Sequence, residues 1–391
     1  MARGRKLVIH IGLPKTGSTS LQRFFQANLG QLERHGIHVI RSGALDARAG
    51  LNSAALRHAL RSDFPESGRT ERLSTILEEL GGGDASSAKA GADLILDNTL
   101  DELTRIEKNI RTIVLSSESF STFKAADLAA LKTAFGPHVS SYQIVAYLRR
   151  QDQFVVSKYS TDLRHGSTLT LSETLERFQG HLHLRYHKTL NRFADHFGKK
   201  AVTPRVFDRG KLYNSDLVHD FMFLMGQKDL SGYDTRIAAN ASLSAAAQEL
   251  LRAYNRLRSE AKNTKENKPE DAFIISAIAE KFTGAGQKPT RTQAERFLHQ
   301  FDRSNEILRK QWFPDMDSVF SKDLSDYPAS DRPPEPISSL DLIMAIREKM
   351  FEKRYQQRIE RALTAMKKEV GGSRPQDRGG ADRTPGAKRR L

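Results

Sequence analysis

The stretch Lys6-Leu-Val-Ile-His-Ile-Gly-Leu-Pro-Lys-Thr-Gly-Ser-Thr-Ser-Leu-Gln22 decides the fold. A short apolar run, Leu7 to Ile11, breaks into a Gly/Lys/Thr/Ser loop and then opens an amphipathic segment with Leu21, Phe24, Phe25 and Asn28 at helical spacing. Strand, loop and helix in that order build an anion cradle. The N–H groups of the loop and first helical turn lack intrahelical partners, and the helix dipole favours negative charge there. Gly12 and Gly17 have the G-x-x-x-x-G spacing of a Walker A loop, yet Ser18-Thr19 follows where an ATP-binding loop needs Lys-Ser/Thr. The lysine lies inside the loop, at Lys15. A plain turn would use the glycines but would not gather Lys15, Thr16, Ser18, Thr19 and Ser20 as donors.

Outward from this loop, β-rich runs alternate with helical patterns. Ile37–Ile40, Thr112–Leu115, Gln143–Leu148 and Val202–Phe207 read as further buried strands. The expected fold is therefore α/β, a three-layer P-loop-type arrangement with a mostly parallel central sheet. Residues 52–110 read as a helical insertion with Leu96, Leu100, Leu103, Ile106 and Ile110 on one face, interrupted by a low-complexity loop over Gly81–Gly91. Beyond about residue 240 the pattern is helical, with Ser242 or Ser244 able to cap its first helix. The α/β domain is expected over residues 1–330. A proline-rich linker, 331–339, joins it to an amphipathic helix over 340–370 whose stripe includes Ile343, Ile346, Met350, Ile359, Leu363 and Met366. Gly, Pro and like charges predict a disordered basic tail over 371–391.

Composition sets outer limits. The 391 residues are 38% hydrophobic and 28% charged, without cysteine, so disulfides and thiol chemistry are excluded. No segment approaches the roughly 18–20 apolar residues of a membrane helix, and Leu7–Ile11 is too short for a signal-peptide core. The expected location is the cytoplasm. Of the net charge of +15, Gly371–Leu391 carries +4 and Arg3, Arg5 and Lys6 carry +3. What remains on the body suits small anionic ligands as well as polymers, and aromatics do not interleave with the basic clusters as base stacking requires. No specific nucleic-acid partner is expected. Helix 340–370 is read as packing on the body or on another subunit in preference to peripheral membrane contact.

A second constellation lies at Ile144-Val-Ala-Tyr-Leu-Arg-Arg-Gln-Asp-Gln-Phe-Val-Val-Ser-Lys-Tyr159, a strand ending in Arg149-Arg150 and passing into a helix with Ser157 about two turns along. An arginine at a strand's carboxyl end and that hydroxyl can converge on one anion. Two anion sites on neighbouring strands imply one ligand with two separated phosphate groups. In these residues the chain resembles the sulfotransferases that use 3′-phosphoadenosine-5′-phosphosulfate (PAPS), particularly bacterial members with a Tyr-Leu-Arg-Arg-Gln-Asp signature, here Tyr147–Asp152. Pro14–Leu21 is similar to their 5′-phosphosulfate loop, and Arg149 with Ser157 to their 3′-phosphate site. Ser116-Ser-Glu118, Pro204–Arg209, Asn240–Leu243 and Ser304-Asn305 are supporting pieces. The Arg-Lys-Gly run near the C-terminus of many animal cytosolic members is missing, which leaves the contacts it supplies unassigned.

The resemblance implies transfer of a sulfuryl group from PAPS to a hydroxyl or amine of an acceptor such as a glycan or lipid-linked sugar, without a metal. It implies that Lys15 neutralises charge on the bridging oxygen as the S–O bond breaks. Backbone N–H groups of Thr16, Gly17, Ser18 and Thr19, with the hydroxyls of Ser18, Thr19 and Ser20, would hold the 5′-phosphate, and Arg149 and Ser157 the 3′-phosphate. The family's base is commonly a glutamate or histidine. Glu118, just past a strand end, is the first candidate, set against a capping or salt-bridged carboxylate; His165 is the second. Three other readings stand beside this one. His181-Leu-His183 with His187 could ligate a metal. An ATP-dependent kinase could use the loop with Asp208 near magnesium. A non-enzymatic binder of nucleic acid or membrane surfaces could act through the basic ends.

Overall fold

Leu7, Val8 and Ile9 are fully buried in β1 (Lys6–His10), because this strand is covered by helices on both faces. The computed structural model describes residues 4–42, 53–60, 88–236, 242–260, 269–331 and 333–354. With β2 (Ile37–Val39), β3 (Thr112–Ser116), β4 (Ser141–Leu148) and β5 (Val202–Val206), β1 forms a five-stranded sheet in the order β2-β3-β1-β4-β5. Every pairing is parallel, with Ile9 opposite Leu115 on one side and Ile144 on the other. The expected α/β architecture with a parallel central sheet is the one observed.

Side-chain alternation divides the core. Leu7, Ile9, Ile113, Leu115 and Ile144 face a layer containing α4 (Ala88–Arg105), α5 (Ala125–Phe135) and α8 (Tyr186–Phe197), through Ile95, Leu103, Leu131, Leu190 and Phe193. Val8, Val114, Val145 and Tyr147 face α1 (Ser18–Ala27), α2 (Leu29–Arg34) and α9 (Leu217–Leu224), through Leu21, Phe24, Phe25, Leu32, Phe221 and Met222. Each fully buried large apolar side chain contributes about 1.5–3 kcal/mol. A one-residue slip would exchange the two faces, so burial on both sides fixes the register. From β1 the chain passes first to the edge strand β2, returns to place β3 between them, and then crosses β1 to add β4 and β5 on the other side. The order reverses at β1, and ligands of such sheets sit in the crevice at that switch point, outside the carboxyl ends of the strands.

The remaining helices form a lateral body. α6 (Gln151–Arg164) and α7 (Leu171–Arg177) pack through Tyr159, Leu163 and Leu171 against Leu243 and against α10 (Ala245–Glu260) and α11 (Pro269–Lys281). Ser244 is the capping residue, its Oγ accepting from Ala247 N–H at 3.2 Å. α12 (Arg291–His299) and α13 (Asp302–Trp312) follow.

Three expectations need correction. Of the loop expected over 81–91, residues 88–91 belong to α4, where alanines and a lysine favour helix; the rest lies outside the described residues. Of the insertion, α3 (Ala54–Leu60) and α4 are described. α4 ends at Arg105, so Ile106 and Ile110 are buried from a turn beyond the helix and not from its face. The expected stripe of the last helix is divided. Residues 339–354 are helical, with Leu342, Ala345 and Ile346 turned inward while Ile343 and Met350 are 60% and 45% exposed. Lys281–Glu348 and Lys349–Glu280 ion pairs join it to α11. Ile359, Leu363, Met366 and the 371–391 tail lie outside the described residues. Among the described residues no helix is long and apolar enough to cross a membrane.

Candidate active site

The loop between β1 and α1 sits at the switch point. Gly17 is the residue before the helix, with φ 80°, and neither a side-chain cap nor an acidic residue in the first turn offsets the dipole. Among the described residues, the N–H groups of Lys15, Thr16, Gly17, Ser18 and Thr19 donate to no backbone acceptor. Lys15 itself adopts φ 68°, a left-handed conformation that costs a residue with a side chain about 1–2 kcal/mol. The loop is held in this shape from two sides. Thr16 Oγ1 donates to the Leu13 carbonyl at 2.6 Å, and Arg149 Nη1 donates to the Lys15 carbonyl at 2.7 Å. A Cβ on Gly17 would come within 2.6 Å of Leu217 Cδ2, so the cradle is also closely backed by α9.

Arg149 stands at the carboxyl end of β4. Its own carbonyl accepts from Tyr186 Oη at 2.6 Å, its guanidinium lies 5.7 Å from the Phe207 ring centroid, and its buried Nε has no partner among the described residues. Burial pulls its pKa down, but an arginine stays charged at neutral pH. Ser157 is half-buried two turns into α6, and the hydroxyls of Thr19 and Ser20 are likewise half-buried at the start of α1. The Ser18 hydroxyl is buried beside Glu118, whose pKa it helps to hold down.

Glu118 follows β3 at the first position of a 3-10 turn, Glu118–Thr122. The capping role falls to Ser117, whose Oγ accepts from Ser119 N–H at 3.3 Å. Among the described residues Glu118 forms no ion pair within bonding distance. Its pKa is raised chiefly by burial, against the opposing influence of Lys15 and Ser18. Lys15 is shifted the other way: burial lowers its pKa, Glu118 and Asp162 oppose that, and Lys158 and Arg149 add to it. A carboxylate with a raised pKa facing a lysine with a lowered one is the pairing that general-base chemistry near neutrality calls for.

Loop, Arg149 and Glu118 thus come from three adjacent strand ends and meet. His165 does not join them directly: it caps the far end of α6, exposed, with Nδ1–H donating to the Thr161 carbonyl at 2.8 Å. Lys158 and Asp162, an ion pair one turn apart on α6, act on Lys15 and were not singled out in the sequence. Their only signal is position, Lys158 directly following Ser157. Tyr186 and Phe207 were within quoted motifs but carried no assigned role.

The other readings find different surroundings. His187 Nδ1 lies 3.1 Å from Ser304 Oγ, while the His181 and His183 rings are 5.1 Å apart in a 3-10 turn; among the described residues no three His, Cys, Asp or Glu side chains gather as a metal site. Asp208 accepts from Gly210 N–H at 2.9 Å and closes the turn after the edge strand β5. Asn305 and Gln151 share a side-chain hydrogen bond at 2.7 Å that ties α13 to the start of α6.

No family profile matches the chain. It is 25% identical over 255 residues to an uncharacterized protein from Archaeoglobus fulgidus, a match covering 63% of this chain and 65% of that protein. In structure it is distantly similar to a sulfotransferase from Alicyclobacillus acidocaldarius, at 18% identity and a TM-score of 0.34, covering 67% of this chain and 96% of that one.

Proposed function

We propose that the protein is a PAPS-dependent sulfotransferase acting on a hydroxyl or amine acceptor. The observation that carries this reading is the contact between Arg149 and Lys15, 134 residues apart in sequence, which joins a phosphate-binding loop to a second cationic anion site. A mononucleotide 5′-phosphate needs only the loop. A second site fits a nucleotide with a further phosphate, and the buried Arg149 Nε, without a partner among the described residues, is a polar group such a ligand satisfies.

PAPS supplies an activated sulfuryl group: the acceptor oxygen bonds to sulfur, the S–O bond to the 5′-phosphate breaks, and adenosine 3′,5′-bisphosphate leaves with the electron pair. The chain's part is positioning and charge. Unpaired N–H groups of Lys15–Thr19 hold the 5′-phosphate, and Arg149 with Ser157 holds the 3′-phosphate. Lys15 places its ammonium where charge grows on the bridging oxygen. Glu118 takes the acceptor's proton, with His165 as the second candidate, its Nε2 left free by the Nδ1–H bond to Thr161.

The test is calorimetric titration with adenosine 3′,5′-bisphosphate against ATP plus magnesium. Wild type prefers the bisphosphate without metal, and Arg149→Ala loses about 1.5–3 kcal/mol for each charge-assisted hydrogen bond removed. Equal binding of AMP and the bisphosphate sinks the assignment, and a preference for ATP with magnesium favours the kinase.

A further inference from the structure

Edge strand β5 delivers one aromatic ring to the site. Val206 pairs with Leu148 at the end of β4, and the next residue, Phe207, donates its N–H to the Leu148 carbonyl at 2.7 Å. The chain thereby sets Phe207 beside Arg149, half-buried at the rim of the core cluster on the α1 side of the sheet. The ring meets two groups there. Its centroid lies 5.7 Å from the Arg149 guanidinium carbon, and its Cε2 and Cζ lie 3.5 Å from where a Cβ on Gly17 would stand. Phe207 thus touches both the anion loop and the arginine that holds the loop.

What has to be held is the backbone of Lys15. At φ 68° this lysine occupies the left-handed region, a conformation that persists only where the surroundings over-determine it. Its carbonyl accepts from Arg149 Nη1 at 2.7 Å. The backbone of Arg149 is fixed at the end of β4 and by Tyr186 Oη on its own carbonyl. The freedom that remains is in the long Arg149 side chain, whose rotamer entropy opposes a single fixed hydrogen bond. An aromatic face beneath the guanidinium restricts that freedom and favours the charge. The same ring closes the loop on its Gly17 side. Phe207, Arg149 and Lys15 therefore form one chain of contacts, whose outermost member carries no group able to react.

Resting on the sulfotransferase reading for what the loop holds, we propose that Phe207 is a positioning residue, which keeps Arg149 Nη1 on the Lys15 carbonyl so that the loop has its anion-binding shape before the nucleotide arrives. Arg149 then serves the 5′-phosphate through the loop as well as the 3′-phosphate directly. A ring that only fills space would add to stability regardless of what stands at residue 149. A ring that acts through the guanidinium loses its effect on binding when the guanidinium is gone.

The experiment is a double-mutant cycle of Phe207→Leu and Arg149→Gln on the full chain. Adenosine 3′,5′-bisphosphate and AMP, which lacks the 3′-phosphate, are titrated by calorimetry, and by ligand-observed NMR where affinity is millimolar. Phe207→Leu keeps the Arg149 charge and is expected to weaken both ligands about five- to tenfold, the scale of a partly desolvated cation–π contact. Phe207→Tyr keeps a ring and stays within about twofold of wild type. In the Arg149→Gln background Phe207→Leu changes either affinity by less than about twofold. Phe207→Met takes the place of Phe207→Leu if the leucine variant does not fold. Equal losses in both backgrounds, a loss confined to the bisphosphate, no loss at all, or the absence of saturable AMP binding in wild type overturns the proposal. Failure of the bisphosphate to bind wild type is a separate result that overturns the sulfotransferase reading, and the AMP cycle then still decides the role of Phe207.

Discussion

Asp152→Asn separates the two arginines that adjoin at the end of β4. Asp152 is fully buried, and its carboxylate accepts from Arg150 Nε at 2.8 Å, Arg150 Nη2 at 3.0 Å and Tyr327 Oη at 2.5 Å. Arg150 Nη1 reaches on to the carbonyls of Ser321 at 3.0 Å and Asp323 at 2.8 Å. One carboxylate therefore fastens the 321–327 segment to the start of α6. Removing its charge leaves a buried guanidinium uncompensated, a loss of about 3–5 kcal/mol from a total stability of about 5–15 kcal/mol. Urea unfolding at pH 7, followed by circular dichroism and by the fluorescence of Trp312, measures the loss. Bisphosphate affinity of the folded variant should stay within a few-fold, because Arg150 points to the C-terminal segment and Arg149 to the loop. Should Asp152→Asn not fold, Tyr327→Phe removes one hydrogen bond to the carboxylate, about 1.5–3 kcal/mol. A loss below 1 kcal/mol in both, or a selective loss of bisphosphate binding at full stability, would refute this division of labour.

Two further outcomes follow from titrating groups. Glu118→Gln should cut turnover by about 10²–10⁴ while leaving bisphosphate affinity nearly intact. In wild type the acid limb of the rate profile should lie above the ordinary glutamate value, since burial raises the Glu118 pKa. In the variant that limb should vanish and the alkaline limb shift to lower pH, because Glu118 no longer supports the Lys15 charge; unchanged turnover removes Glu118 from the role. His10 is fully buried, with Nδ1 2.9 Å from Ser116 Oγ, and burial lowers its pKa from 6.5 to about 4. Its neutral form is favoured in the folded state, so its contribution is complete above pH 6.5 and is lost as pH falls through about 4. The depression corresponds to about 3 kcal/mol in full, and to about 2 kcal/mol between pH 7 and 5. Urea unfolding at those two pH values should show that slope in wild type and a shallower one in His10→Asn; equal slopes would contradict it.

What the sequence made legible follows from how each element is buried. The five strands are readable because a parallel sheet covered on both faces demands apolar runs, as at Leu7–Ile9 and Ile144–Leu148. Lys158 and Asp162 were not readable as site residues, because an i,i+4 ion pair on a helix ordinarily marks a solvated face. Arg149 was placed on the ligand side by its position eight residues before Ser157, whereas the fastening of Arg150 to Asp152 and to the 321–327 segment depends on partners far along the chain that no local pattern records. The last helix was readable as packing against the body, but which part of its apolar stripe turns inward was not: Leu342, Ala345 and Ile346 face α11 while Ile343 and Met350 are exposed.

Gly12 shows the same limit from the other direction. In the sequence it is the first glycine of the G-x-x-x-x-G spacing, at the end of a strand. In the structure a Cβ there would lie 3.3 Å from both Cα and Cγ of Glu118 and 2.7 Å from Ser18 Oγ. The missing side chain is what lets the end of β3 approach the loop after β1. A methyl group at this position would crowd Ser18 Oγ and press on Glu118, in the very space where burial raises the Glu118 pKa and Lys15 opposes that rise. Gly12 thus keeps the end of β3 close to the loop, a constraint set by a contact across 106 residues.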